Sequence, residues 1–188
     1  MLAHREHSHL AIIDIQSRLA PAMHDSDALI KNTGRLIRYA GRMGVPVTFT
    51  EQMPERIGAT LPSLLADQKE FALQNSICLP KASFSGWQDP TIAQRFADLK
   101  NQGRKQIVLA GMEAHVCVLQ TALELLANDF EVLVVADAVG SRTPENHTLA
   151  LKRMSKAGAA IVSHEMIAFE WLGRADTLEF KDLLPLFK

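Results

Sequence analysis

Short, almost continuously apolar runs punctuate the chain at Leu10–Ile15, Val45–Thr50, Gln106–Ala110 and Glu131–Ala136, with weaker ones at Ile77–Leu79 and Ala159–Val162. Runs of this length, bounded by Gly, Pro and polar residues, read as strands. They do not alternate with polar residues, so both faces must be covered, as in a parallel sheet with helical crossovers. The segments between them carry helical spacing. Residues 26–43 place Leu29, Ile30, Leu36, Ile37 and Ala40 on one face and stop at Gly44. Asp89-Pro90 and Thr143-Pro144 are capped helix starts, and the helices they open end near Gly103 and Gly158. A further helix is predicted over residues 115–127, and two short ones, 165–172 and 176–187, close the chain. Residues 51–61, with Pro54 and Gly58, read as an irregular loop. This alternation predicts one α/β domain over 1–188, a three-layer α/β/α sandwich with a mainly parallel, doubly wound, Rossmann-like sheet.

Charge and composition narrow the function classes. Twenty basic and 21 acidic residues give a net charge of −1, so no basic field draws the chain to nucleic acid or an anionic membrane. Lys31, Arg35, Arg38 and Arg42 share a helix face and read as a solvated surface. The start, MLAHREHSHLAIID, has no apolar signal-peptide core, and no apolar run approaches membrane-spanning length. The expectation is a cytoplasmic protein with reduced thiols. Cys78 and Cys117 are too few for a disulfide framework. His4, His7 and His9 read as part of a mobile terminus.

Doubly wound sheets place ligands at the carboxyl ends of their strands. The polar residues predicted there are Asp14, Glu51, Lys81, the Gly111–Cys117 turn and Asp137. Cys117 falls at the start of an apolar helix, where unpaired N–H groups and the helix dipole favour a thiolate and can hold a developing oxyanion. The competing structural reading is a small buried hydrophobe. Cys78, within a strand, reads as core. Asp14 interrupts an apolar strand and needs a partner or a place at its mouth, where it can act as general base or merely cap a turn. Lys81 can pair with Asp14 and support a thiolate, or stand in water as a loop lysine. His115 lies two residues before Cys117, a spacing that does not bring two helical side chains together. No nucleotide-binding glycine motif, H-E-x-x-H or C-x-x-C is present.

The segments LAIIDIQSRLAPAM, TEQMPERIGAT, LPKASFS, VLAGMEAHVCVLQTALELL, VVADAVGSRTPENHTLALKRM and GAAIVSHEMIAFEWLG occur in an order that resembles the isochorismatase-like cysteine hydrolase superfamily, most of all its small isochorismatase domain-containing proteins. The resemblance implies a six-stranded parallel sheet and an Asp14–Lys81–Cys117 triad. It also implies a cis peptide at Met112–Glu113 and an oxyanion hole made by the backbone N–H groups of Glu113 and Cys117. Nicotinamidase-type members carry Asp-x-His-x-His after the second strand, whereas this chain reads EQMPERIGA and supplies no histidine, so no metal and no cofactor are expected. Isochorismatase proper lacks the cysteine. The activity implied is metal-independent thiol hydrolysis of a small amide-like C–N bond. The alternative is a weakly active member that works as a binding protein. Gln16, Phe84 and Trp87 are candidate walls of a pocket for a small-molecule substrate. The apolar late segments MIAFEWLG and LLPLF, with the near-zero net charge, predict a homo-oligomer.

Overall fold

In the computed structural model, which describes residues 1–71 and 76–187, the apolar runs pair into one six-stranded sheet. The strands are β1 (Ser8–Ile13), β2 (Val47–Gln52), β3 (Ser76–Lys81), β4 (Gln106–Met112), β5 (Glu131–Gly140) and β6 (Ala160–Val162). Every pairing is parallel, in the order β3-β2-β1-β4-β5-β6. The chain builds outward from β1 on one side, then returns to β4 and builds outward on the other. The switch point between β1 and β4 is where a crevice opens at the carboxyl ends of such sheets.

The alternation of side chains along each strand divides the core in two. Leu10 and Ile12 of β1 join Phe49, Val108 and Leu133 beneath α1 (Ser26–Met43), with Leu36, Ile37 and Tyr39. Ala11 and Ile13 point the other way, toward Ile92 and Phe96 of α4 (Pro90–Asn101), Leu119 and Leu125 of α5 (Leu119–Ala127), and Met154 of α6 (Pro144–Lys156). Each fully buried Leu, Ile or Phe contributes roughly 1.5–3 kcal/mol over the exposed state. Two short helices, α2 (Pro54–Ile57) and α3 (Pro62–Glu70), occupy the connection to β3, and α7 (His164–Leu172) and α8 (Leu178–Leu183) close the chain. The predicted caps are in place: Asp89 accepts from the N–H groups of Thr91 and Ile92, and Thr143 from that of Asn146.

Several expectations are corrected. Residues 54–57 are helical rather than irregular, with Pro54 in the first turn, where its missing N–H costs nothing. β5 runs on to Gly140, so Asp137 lies within the strand instead of at its end. The amino terminus is fastened: the His4 N–H donates to Gln106 at 2.8 Å, and His9 is a fully buried residue of β1 with Nε2 3.1 Å from Thr48 Oγ1. On the basic face of α1, Lys31 and Arg42 are exposed as a solvated face requires, but two of its arginines also reach across to other helices. Arg38 holds Asp67 of α3 through Nε and Nη2, and Arg42 holds Asp182 of α8 at 2.8 Å. Cys78 is exposed, because β3 is an edge strand and only Leu79 and Lys81 of it turn inward. Among the described residues, no helix is long and apolar enough to cross a membrane.

Candidate active site

The site is assembled from the carboxyl ends of β1, β3 and β4. Directly after β1, Asp14 adopts φ +51°, a left-handed conformation that Asp tolerates better than most residues. Its N–H donates to the Thr50 carbonyl, and its own carbonyl accepts from the Gln16 N–H. This turn buries the carboxylate completely among polar partners. Thr50 Oγ1 donates to Oδ1 at 2.7 Å, and Lys81 Nζ donates to Oδ2 at 2.7 Å. Lys81 is the last residue of β3, and neither its side chain nor that of Asp14 has any exposure. The reading of Lys81 as a loop lysine in water is therefore corrected. Its ammonium also donates to Gln52 Oε1 at 2.7 Å and to the carbonyls of Ser83 and Phe84 at 3.1 Å. A buried ion pair survives when its remaining hydrogen-bonding capacity is met, as here.

Cys117 arrives from β4. Gly111 makes the approach possible: at φ +126° it lies against β1, and a Cβ there would sit 2.1 Å from the Ile13 carbonyl oxygen. The Met112–Glu113 peptide bond is cis. Residues Ala114–Val118 then form a single π-type turn before α5. In this turn the Val118 N–H donates to the Glu113 carbonyl at 3.2 Å. In a regular α-helix the Cys117 N–H would take that carbonyl, so the wider turn leaves the Cys117 amide out of that bond. The predicted helix over 115–127 is thus two pieces. Thr121 Oγ1 braces the turn, donating to the Cys117 carbonyl at 2.7 Å and accepting from the Gly86 N–H at 2.9 Å.

The thiol is buried, with 6 % of the residue exposed, and faces the Asp14 carboxylate. Its pKa is pushed up to about 12, by burial first and then by the Asp14 charge. The Lys81 charge and the Glu113 backbone hydrogen bond pull the other way without prevailing. Burial and the facing carboxylate therefore favour the thiol at Cys117 over the thiolate that its place near a helix start suggests. Desolvation and a facing carboxylate outweigh one turn's dipole.

The candidate pocket residues fare differently. Gln16 is fully buried and cannot wall a pocket; both ends of its amide are bound to backbone. Phe84 has 56 % of its surface exposed, and its own carbonyl is one of those that Lys81 binds. Trp87 is half-buried, edge-on to Phe130 with ring centroids 5.5 Å apart. Glu113 pairs with Arg142 at 2.8 Å, and His115 Nδ1 lies 2.9 Å from Ser141 Oγ. A cleft of about 320 Å³ nearby, lined in part by His24, Asn32, Asp137, Ser141 and His147, contains none of Asp14, Lys81 and Cys117. Among the described residues, no group of three or more His, Cys, Asp or Glu side chains is placed to hold a metal ion.

Gln52 was missed by sequence reasoning. Its signal was available: a polar amide closing an apolar strand, one residue beyond the Glu51 that was considered.

The comparisons with known proteins agree with this architecture. The chain is 32 % identical over 186 residues to isochorismatase family protein 1B of Dictyostelium discoideum, covering 97 % of this chain and 87 % of that one. Among solved structures it resembles the MAR1 ribonuclease from Caenorhabditis elegans, with TM-score 0.89, 32 % identity, and coverage of 99 % and 92 %. It shares its fold with the YcaC gene product from Escherichia coli, described as an octameric hydrolase of unknown specificity. There the TM-score is 0.88, the identity 23 %, and the coverage 99 % and 90 %. The model of the isochorismatase domain matches residues 8–166, a stretch that holds Asp14, Lys81 and Cys117, and the chain belongs to that family.

Proposed function

We propose that the chain is a metal-independent cysteine hydrolase acting on a small amide-like C–N bond. The observation that carries this reading is the fully buried Lys81–Asp14 pair at 2.7 Å, with the buried Cys117 thiol facing the same carboxylate. A nucleophile, a base and a group orienting the base are thereby in one contact chain. Asp14 accepts the thiol proton as sulfur attacks the substrate carbonyl. The N–H groups of Glu113 and Cys117 hold the oxyanion. The C–N bond breaks, the amine leaves with the proton from Asp14, and a thioester remains on Cys117. Water, deprotonated by Asp14, then releases the acid and restores the thiol. Because the thiol rests protonated, proton transfer must accompany attack, and a positioned base of this kind contributes roughly 10²–10⁴-fold. One oxyanion donor contributes about 3–4 kcal/mol.

The high thiol pKa also favours a second reading, a weakly active family member that binds a small molecule. One experiment separates the two. The chain is incubated with a panel of small amides, ureides and carbamoyl compounds, and intact mass and amine release are followed. An acyl adduct on Cys117, with turnover lost in Cys117→Ala and Asp14→Asn, supports the hydrolase. Full turnover in Cys117→Ala overturns it, and binding without adduct or turnover favours the second reading. A ribonuclease reading finds no support in the charge, since the net is −1 and Arg38 and Arg42 are held by carboxylates.

The exposed apolar side chains of Met166, Phe169 and Leu178 on α7 and α8 support self-association of the chain. Sedimentation showing a monomer at micromolar concentration would count against it.

A further inference from the structure

An ammonium has three N–H donors. Lys81 Nζ faces four acceptors, and Gln52 Oε1 at 2.7 Å is as near as the Asp14 carboxylate, closer than the Ser83 and Phe84 carbonyls at 3.1 Å. The other end of the Gln52 amide donates to the Ala82 carbonyl at 2.7 Å, so this side chain ties the ammonium to the loop that supplies those two carbonyls. Gln52 is itself held. Gln16 Oε1 accepts from the Gln52 N–H at 2.8 Å, and Gln16 Nε2 donates to the Gln52 carbonyl at 3.0 Å. Gln16 thus pairs with residue 52 as a neighbouring strand would. Gln16 is fully buried and Gln52 is 7 % exposed, so water cannot replace these bonds.

We propose that Gln52 is a positioning residue that holds the Lys81 ammonium beside Asp14 and Cys117, and that Gln16 acts on the site through Gln52. The proposal rests on the triad reading above. An amide suits the task for an electrostatic reason. It accepts from the ammonium without adding a second anion to compete with Asp14 for that charge or to oppose ionisation of the thiol. The charged groups facing the sulfur are Asp14 and Lys81; the Glu113 carboxylate is turned to Arg142 and His115 to Ser141.

The test is the second-order rate of Cys117 alkylation by iodoacetamide at pH 8–9 in the full chain. Exposed Cys78 of the same molecule serves as reference, and folding is checked by circular dichroism. Well below the thiol pKa, each unit of upward shift slows alkylation about tenfold. Gln52→Glu, which keeps the shape and adds a negative charge, is expected to slow Cys117 about tenfold or more. Gln52→Met, which frees the ammonium to swing toward the loop carbonyls, slows it in the same direction. Gln16→Ala reproduces part of that loss, and the Gln16→Ala/Gln52→Met double variant is no slower than Gln52→Met alone.

A merely structural role predicts the opposite sign, since loosened packing exposes Cys117 and speeds its alkylation. Unchanged or faster Cys117 labelling in the Gln52 variants overturns the proposal, and additive effects in the double variant overturn the part assigned to Gln16. If Gln52→Met does not fold, the isosteric Gln52→Glu decides. Asp14→Asn is run alongside and is expected to change the labelling rate and its pH profile, because it removes both the base that takes the thiol proton and a charge that opposes the thiolate. No change in Asp14→Asn overturns the triad reading itself; a change there with none at Gln52 overturns only the present proposal.

Discussion

Two carboxylate-centred clusters on the carboxyl side of the sheet contrast, one at its centre and one at β5. In the central one, Asp14 and Lys81 have no exposure, share a 2.7 Å contact and face a thiol. In the other, Asp137 Oδ2 lies 2.6 Å from His164 Nδ1, with side chains 37 % and 13 % exposed. Arg35 reaches His164 Nε2 at 3.3 Å, Asn32 donates to the Asp137 carbonyl, and the His164 ring stacks on Tyr39. This second cluster ties α1, β5 and α7 together. Burial raises the Asp137 carboxyl, but hydrogen bonds from the His164 side chain and N–H hold it below the usual range. Pairs of similar chemistry thus stand in different surroundings. Solvent decides how much free energy rides on each, and of the two only the central pair faces a thiol.

The largest expected effect separates the clusters directly. Lys81→Met leaves Asp14 buried with only Thr50 and the thiol for partners, and breaking a buried pair in this way costs about 3–5 kcal/mol. Urea unfolding at neutral pH measures it, and a loss below about 1 kcal/mol would place this pair with exposed ones.

The next effect appears with pH. His9 lies between β2 and α4, its ring 5.1 Å from that of Phe96, and burial pushes its pKa down to about 3. Folded His9 stays neutral, whereas the unfolded chain takes up a proton below about pH 6.5. Stability is therefore lost as pH falls below about 6.5, reaching about 2 kcal/mol at pH 5. In His9→Gln that loss should vanish from the difference between urea midpoints at pH 7 and pH 5. An unchanged difference would show that burial of this imidazole is not what the acid opposes.

The smallest effect is expected at the outer cluster. Asp137→Asn should cost about 0.2–1 kcal/mol, as partly exposed pairs do. It should leave Cys117 alkylation unaltered, because nothing in that cluster touches the thiol. A Cys117 rate that follows Asp137 would join two regions described here as independent.

The strand runs and their helical connections were legible because a parallel sheet covered on both faces writes itself as continuous apolar segments. Asp89 and Thr143 were legible as caps because capping is local. Asp14, Lys81 and Cys117 stood out as strand-end chemistry, and the resemblance joined them. Cys78 was misjudged because an apolar run does not say whether its strand is central or at an edge. Gln16 was misplaced for a related reason: a glutamine just past a strand can face a pocket or clasp its neighbour's backbone, and only the register of β1 against β2 distinguishes them.

By itself the sequence determined the element order, the layered α/β architecture and which residue types stood at the strand ends, because propensity, periodicity and capping act over a few neighbours. The tertiary structure alone decided that β3 is an edge, that Lys81 is sealed from water among four acceptors, and that burial and a facing carboxylate push the Cys117 thiol pKa up. Each of these depends on desolvation and on charges brought together from distant parts of the chain. Residues 14, 81 and 117 share one environment only after the sheet has closed around them.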